Sequence, residues 1–210
     1  MKRLICGLVF TMLWVSSLSP GFALGIADEI IHEQKENIQR AAEKFHISPR
    51  LLASIIYAER TLNERPGRDV VDMILARTGY NSSLGIAQVK VGTGIWIEEQ
   101  LNNPDGPVYL GANRASWIVK SQSREELIER LADPKRNLLY ASAYAAMIIR
   151  LWHPILSEPN NSHFAAGLIA TLYSLGIERA DGSLRMPHAN SALNEFGRAA
   201  QRYYDGFPLF

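Results

Sequence analysis

The 210-residue chain has a single cysteine, Cys6, and five histidines with no common spacing. His32, His46, His153, His163 and His188 make no HExxH run and no i, i+4 pair. His32-Glu33 opens like one, but Glu36 stands where the second histidine belongs, so solvated or capping histidines are expected and no metal site. There is no GxxxxGK[ST] loop, no GxGxxG turn and no GxSxG elbow, which leaves phosphate-cradling loops and the serine-hydrolase nucleophile without support. Neither sign of charge dominates: 22 basic side chains meet 21 acidic ones, so no nucleic-acid partner and no polybasic membrane contact is indicated. Low-complexity linkers, repeats and long charge runs are also missing, and one domain is expected.

A long apolar run is lacking too, and the one short run has the marks of an export signal. Lys2 and Arg3 precede an apolar stretch from Leu4 to Val15 that is too short for a comfortable membrane span. Small residues at Gly21 and Ala23 offer cleavage after Ala23, with an uncleaved anchor as the alternative. The expected organisation is a signal peptide over 1–23 and a domain over 24–210, exported to the periplasm or cell exterior. Cys6 falls within the leader, away from the end of the apolar stretch where a lipid-modified cysteine would sit. The remaining 187 residues hold 20 basic and 21 acidic side chains and no cysteine. That suits an oxidising compartment, supplies no disulfide framework, and rules out a thiol nucleophile. A domain of this length buries roughly 70% of its unfolded surface.

Helical periodicity runs through almost all of what is left, and the expected class is mostly α. Residues 27–46 carry Ile30, Ile31, Ile38, Ala42 and Phe45 at helical spacings. Ser48-Pro49 starts a second helix, with serine as N-cap and proline at the first position. A third covers 68–78 and closes at Gly79. Residues 80–90 begin as a turn and become helical, and 94–102 form another short helix. After an irregular region at 103–122, Ser123-Arg124-Glu125-Glu126 makes a capping box. Asp133-Pro134 then caps a long apolar helix that Pro154 ends. Helices over 162–175, stopped by Gly176, and about 191–204 follow, with an aromatic tail of Tyr203, Tyr204, Phe207 and Phe210.

Chemistry is sought where polar groups interrupt this apolar pattern. On the helix after Ser48, Leu51, Leu52, Ile55, Ile56 and Leu62 share one arc, and Glu59 falls in its middle. Arg50, Ser54, Tyr57, Arg60, Thr61 and Glu64 take the opposite side. An ionised carboxylate there costs several kcal/mol unless paired or protonated. It either escapes at a groove edge, pairs with a buried arginine, or sits with a raised pKa as a general acid. Gln88 lies among apolar neighbours in Ser83-Leu84-Gly85-Ile86-Ala87-Gln88-Val89 and needs hydrogen-bond partners, from its own loop or from a sugar. Tyr173, before Ser174-Leu175-Gly176, is either ordinary core or part of the same site.

Taken in order, these pieces resemble the lytic transglycosylases of the soluble-lytic-transglycosylase (SLT) type, which have a lysozyme-like fold. The resemblance spans about Ile47 to Asn190. It is carried by Ile47-Ser48-Pro49-Arg50-Leu51-Leu52 through Ala58-Glu59, by Gly85-Ile86-Ala87-Gln88, by the Asn137-led apolar helix, and by Leu172-Tyr173-Ser174-Leu175-Gly176. The chain departs from the family at Arg60, where serine is usual, at Ala87 for a glycan-lining methionine, and at Ser174 for asparagine. The stretch from Glu59 to Gln88 is also longer than usual, and Ser82 or Ser83 stands in for the serine normally within it.

The resemblance implies a peptidoglycan glycan strand as substrate, Glu59 as the single acid, Gln88, Tyr173 and Ser83 as substrate-binding residues, and no cofactor. Two other outcomes stay open. Asp69 or Asp72, on the helix after Glu59, would hold a water if the chain were a hydrolytic muramidase like the goose-type lysozymes, although the wheel also makes them a plain solvated face with Arg68. The departures would equally suit a catalytically silent glycan-binding protein acting with an envelope partner.

Overall fold

The computed structural model describes residues 20–206 except 64, 66, 160 and 189–191, with side chains from residue 25 onward. Residues 1–19, most of the signal peptide expected over 1–23, with Cys6, and Glu64, Phe207 and Phe210 therefore lie outside the described residues. The architecture is mostly α. The first apolar stretch makes two helices, α1 (Pro20–Glu33) and α2 (Lys35–Phe45), separated at Gln34. His46 ends α2 in the left-handed conformation (φ 54°), and Ile47 N–H returns to the Ala42 carbonyl.

Helix α3 (Pro49–Leu62) is the central element, with α1, α2, α8 (Pro134–Leu156), α9 (Ala165–Leu175) and α10 (Glu195–Gly206) against it. Pro49 opens α3 as expected, but the Ser48 hydroxyl makes no capping bond. Leu52, Ile55 and Ile56 are fully buried and join Ala141, Ala145 and Ile148 of α8 in one core. Burial of each such large aliphatic side chain contributes roughly 1.5–3 kcal/mol. At α10, Tyr203 stacks on Tyr57 of α3 with ring centroids 4.3 Å apart. Gly197 of α10 backs onto α9, where a Cβ would stand 2.0 Å from Thr171 Oγ1 and 2.4 Å from the Gly167 carbonyl. Only glycine permits that approach.

Between α4 (Arg68–Arg77) and α5 (Val91–Leu101) the chain makes a hairpin where a helix was expected over its later part. Strands β1 (Ser83–Leu84) and β2 (Val89–Lys90) pair antiparallel, Ser83 with Lys90 and Leu84 with Val89. Helix formation fails there because Gly85 and Gln88 both take positive φ, at 73° and 48°. A four-residue helix α6 (Ala112–Ala115) lies in the irregular region, followed by α7 (Arg124–Ala132). Ser123 caps α7 by accepting from Glu126 N–H, while the Glu126 carboxylate reaches back to Gln122 N–H, one residue before the usual capping-box partner. Asp133 caps α8 through Arg136 N–H. Pro154 does not end α8, which continues to Leu156. In the exposed last turn a proline costs little, and Ser157 N–H closes the helix on the His153 carbonyl. Gly176 ends α9 as expected, and a short 3-10 turn (Ser162–Phe164) precedes that helix.

Among the described residues no helix is long and apolar enough to cross a membrane.

Candidate active site

Glu59 sits in the last turn of α3 and is 7% exposed. Its Oε2 accepts a hydrogen bond from Asn63 Nδ2 at 2.9 Å, one helical turn on. Burial pushes its carboxyl up to about 7, against the opposing pull of the Asn63 bond and of the charges on Arg68, Arg60 and Lys90. A carboxyl of that kind donates a proton near neutrality and takes it back in a later step.

The wheel misplaces its neighbours. Arg60 is 3% exposed and Ser54 fully buried, whereas Leu62 is 41% exposed. The cause is that α3 is wrapped on nearly all sides, so its second face also lies inside the protein. There Arg60 meets the hairpin: Nε donates to the Ile86 carbonyl at 3.3 Å and Nη2 to the Gly85 carbonyl at 3.2 Å.

The 85–88 turn is fixed from the other side by Asn137, at the start of α8. Asn137 Oδ1 accepts from Ala87 N–H at 2.9 Å, and Nδ2 donates to the Leu84 and Leu131 carbonyls at 2.8 and 2.9 Å. Gly85 is required here, since a Cβ would come within 2.4 Å of the Asn137 side chain and the Leu131 carbonyl. Gln88 Nε2 donates to the Gly85 carbonyl at 2.8 Å and to Asp69 Oδ1 at 3.2 Å, which fixes the orientation of the amide. Its Oε1 is buried and has no hydrogen-bond partner. An acceptor left in that state calls for a donor, from water or from a ligand.

Tyr173 approaches from α9. Its hydroxyl donates to the Ala87 carbonyl at 2.9 Å and makes no hydrogen bond to Glu59. Burial, then the nearby Glu59 charge, hold its phenol well above the usual tyrosine range. Its ring stands edge-on to Tyr144, which is edge-on to Trp96.

A cleft of about 300 Å³ opens between these elements. Glu59, Ser83, Gln88 and Tyr173, the four residues singled out in the sequence, all line it. Trp96, Lys90, Glu178 and Arg179 complete its walls and rim, and Ser174 lies among them, accepting from Asn194 Nδ2 at 2.8 Å. Ala87 is fully buried and is not part of the lining. Asp69 and Asp72 are not part of it either: Asp69 pairs with Arg60 at 3.4 Å and Asp72 with Arg68 at 3.2 Å. Two contributors, Asn63 and Trp96, went unread in the sequence, and Asn137 was read only as the head of its helix and not as the residue that fixes the turn. Asn63 was signalled only by its i+4 spacing from Glu59, Asn137 by an amide at the head of an apolar helix, and Trp96 by nothing local.

A second buried glutamate lies outside the cleft. Glu98 of α5 is 3% exposed, and its carboxylate accepts from the Tyr140 hydroxyl and, at 3.0 and 2.7 Å, from the Ser121 N–H and hydroxyl. Arg130 adds its charge at 3.6 Å. Among the described residues no group of three histidine, cysteine or acidic side chains is placed to hold a metal ion. The chain matches no family model, no curated protein and no solved structure.

Proposed function

We propose that the chain is an exported lytic transglycosylase of the SLT type, with a lysozyme-like domain that cuts the β-1,4 bond between N-acetylmuramic acid and N-acetylglucosamine in peptidoglycan. The observation that carries this reading is a buried carboxyl titrating near neutrality in the same cleft as a glutamine whose amide oxygen lacks a donor. The first is suited to proton transfer and the second to a sugar N–H or O–H.

In this mechanism Glu59 gives its proton to the glycosidic oxygen as the bond from C1 breaks. The acetamide oxygen of the muramic acid ring supports the electron-poor C1. The Glu59 carboxylate then takes the proton from the C6 hydroxyl, whose oxygen closes on C1 to leave a 1,6-anhydro end. Glu59 is protonated again, and no water is consumed. Tyr173 supports the floor of the site through Ala87 instead of touching Glu59.

A hydrolytic muramidase is the second reading, and Glu178 is the observation that favours it. Asp69 and Asp72 are held by arginines away from the cleft, but Glu178 lines it and its carboxyl is raised by burial and by the Glu99 charge. A second carboxylate would activate a water. Mass spectrometry of the soluble products from purified sacculi separates the two. Anhydro ends from wild type and from Glu178→Gln, with none from Glu59→Gln, are the expected result. Reducing ends that disappear in Glu178→Gln would establish hydrolysis. Binding to sacculi with no product would leave a glycan-binding role with an envelope partner.

A further inference from the structure

Arg60 stands where a buried cation is least welcome, beside an acid that must keep its proton. Its side chain is only 4% exposed, and among the described residues its guanidinium reaches the Ile86 carbonyl, the Gly85 carbonyl and, at 3.4 Å, Asp69 Oδ2. The other oxygen of Asp69 takes the Gln88 amide at 3.2 Å. One carboxylate thus bridges the buried guanidinium to a cleft-lining side chain whose amide oxygen has no donor. The Gly85 carbonyl is shared in the same way, receiving Arg60 Nη2, Gln88 Nε2 and Gln88 N–H. Gln88 itself holds a left-handed backbone (φ 48°) that a residue with a side chain keeps only when its surroundings impose it.

We propose that Arg60 and Asp69 are positioning residues, a brace that ties the 85–88 turn to α3 and holds the Gln88 amide with its oxygen turned to a sugar donor. The role in ligand binding rests on the glycan reading above; the brace itself does not. Because Arg60 follows Glu59 on one helix, the acid and the sugar-holding amide keep a fixed relation. Arg60 meets the two carbonyls and the carboxylate from three separate nitrogens of a planar fork, a spread that the single nitrogen of a lysine does not offer.

The test uses Asp69→Asn as the main variant, since that side chain is 59% exposed and the replacement is isosteric, with Arg60→Lys as the second. Hydrogen exchange over residues 84–90 reads the brace directly. Faster exchange confined to that turn is expected in both variants, and unchanged exchange overturns the brace whatever the glycan assays give. Binding of N-acetylchitotetraose, measured by calorimetry in a Glu59→Gln background, reads its consequence. Asp69→Asn should weaken binding roughly tenfold, and should add nothing once Gln88→Ala is present. Additive losses, or undiminished binding in Asp69→Asn, overturn the positioning role. Failure of the parent protein to bind or cleave any glycan overturns the functional reading instead, and the exchange result still decides whether the brace exists.

Discussion

Glu59 and Glu98 are both helical glutamates buried to within a few per cent of their surface, yet their settings are opposite. Glu98 accepts from a tyrosine hydroxyl, a serine hydroxyl and a backbone N–H, with an arginine beside it. Among the described residues Glu59 has a single neutral donor, Asn63, and it faces a cleft. Burial is common to both; what differs is how many donors share the negative charge. A fully served carboxylate is a structural tie, here joining the 111–122 segment to α5 and α8. A poorly served one keeps its proton and is free to give it away.

The largest expected effect lies on the poorly served side. Glu59→Gln should lower turnover of sacculi by at least roughly a thousandfold while the far-ultraviolet dichroism stays unchanged. Next comes Glu98→Ala, which strands the Tyr140 hydroxyl and Ser121 N–H and leaves Arg130 short of a counter-charge. It should cost about 3–4 kcal/mol in denaturant unfolding, with activity per folded molecule within about twofold of wild type. If activity fell while stability held, the contrast between the two acids would collapse.

A third effect concerns pH. The Glu59 carboxyl is raised from 4.5 to about 7 in the folded protein, so the folded state binds its proton more tightly than the unfolded chain does. Its contribution is fully present below pH 4.5 and is lost as pH rises to about 7. Glu59→Gln escapes that loss. It should exceed wild type in stability by up to about 3 kcal/mol at pH 8, and the gap should close toward pH 4. Equal stabilities across that range would show that Glu59 is not held protonated. The smallest effect is at Asn63, whose hydrogen bond pulls Glu59 down. Asn63→Ala should move the alkaline limb of the kcat/KM profile to higher pH with only a several-fold change in maximum rate.

Much of this site was legible because its signals are local. Glu59 violates an apolar arc, and Gly85 to Gln88 and Tyr173 to Gly176 are short strings whose order carries the resemblance. What was not legible depends on contacts remote in sequence. The wheel assigned Arg60 and Ser54 to solvent because it assumes one wet face, and α3 has almost none. The hairpin escaped because two-residue strands show no alternation, and because the residue that shapes the turn, Asn137, lies on another helix. Asp69 was placed correctly on a solvated face, but nothing local tells that both its oxygens are occupied. Pro154 misled because the rule against interior proline weakens in a final exposed turn.

The glycine seam between α9 and α10 has a consequence for biosynthesis. Translation delivers α3 early and α10 last among the described helices, yet α10 covers α3 and docks on the helix that carries Tyr173. A nascent chain therefore leaves the acid's helix partly wet until α10 has emerged, and with it the proton affinity that burial confers. On the proposed reading, competence to cut arrives as one of the final events of folding, once α10 has docked on α3 and α9.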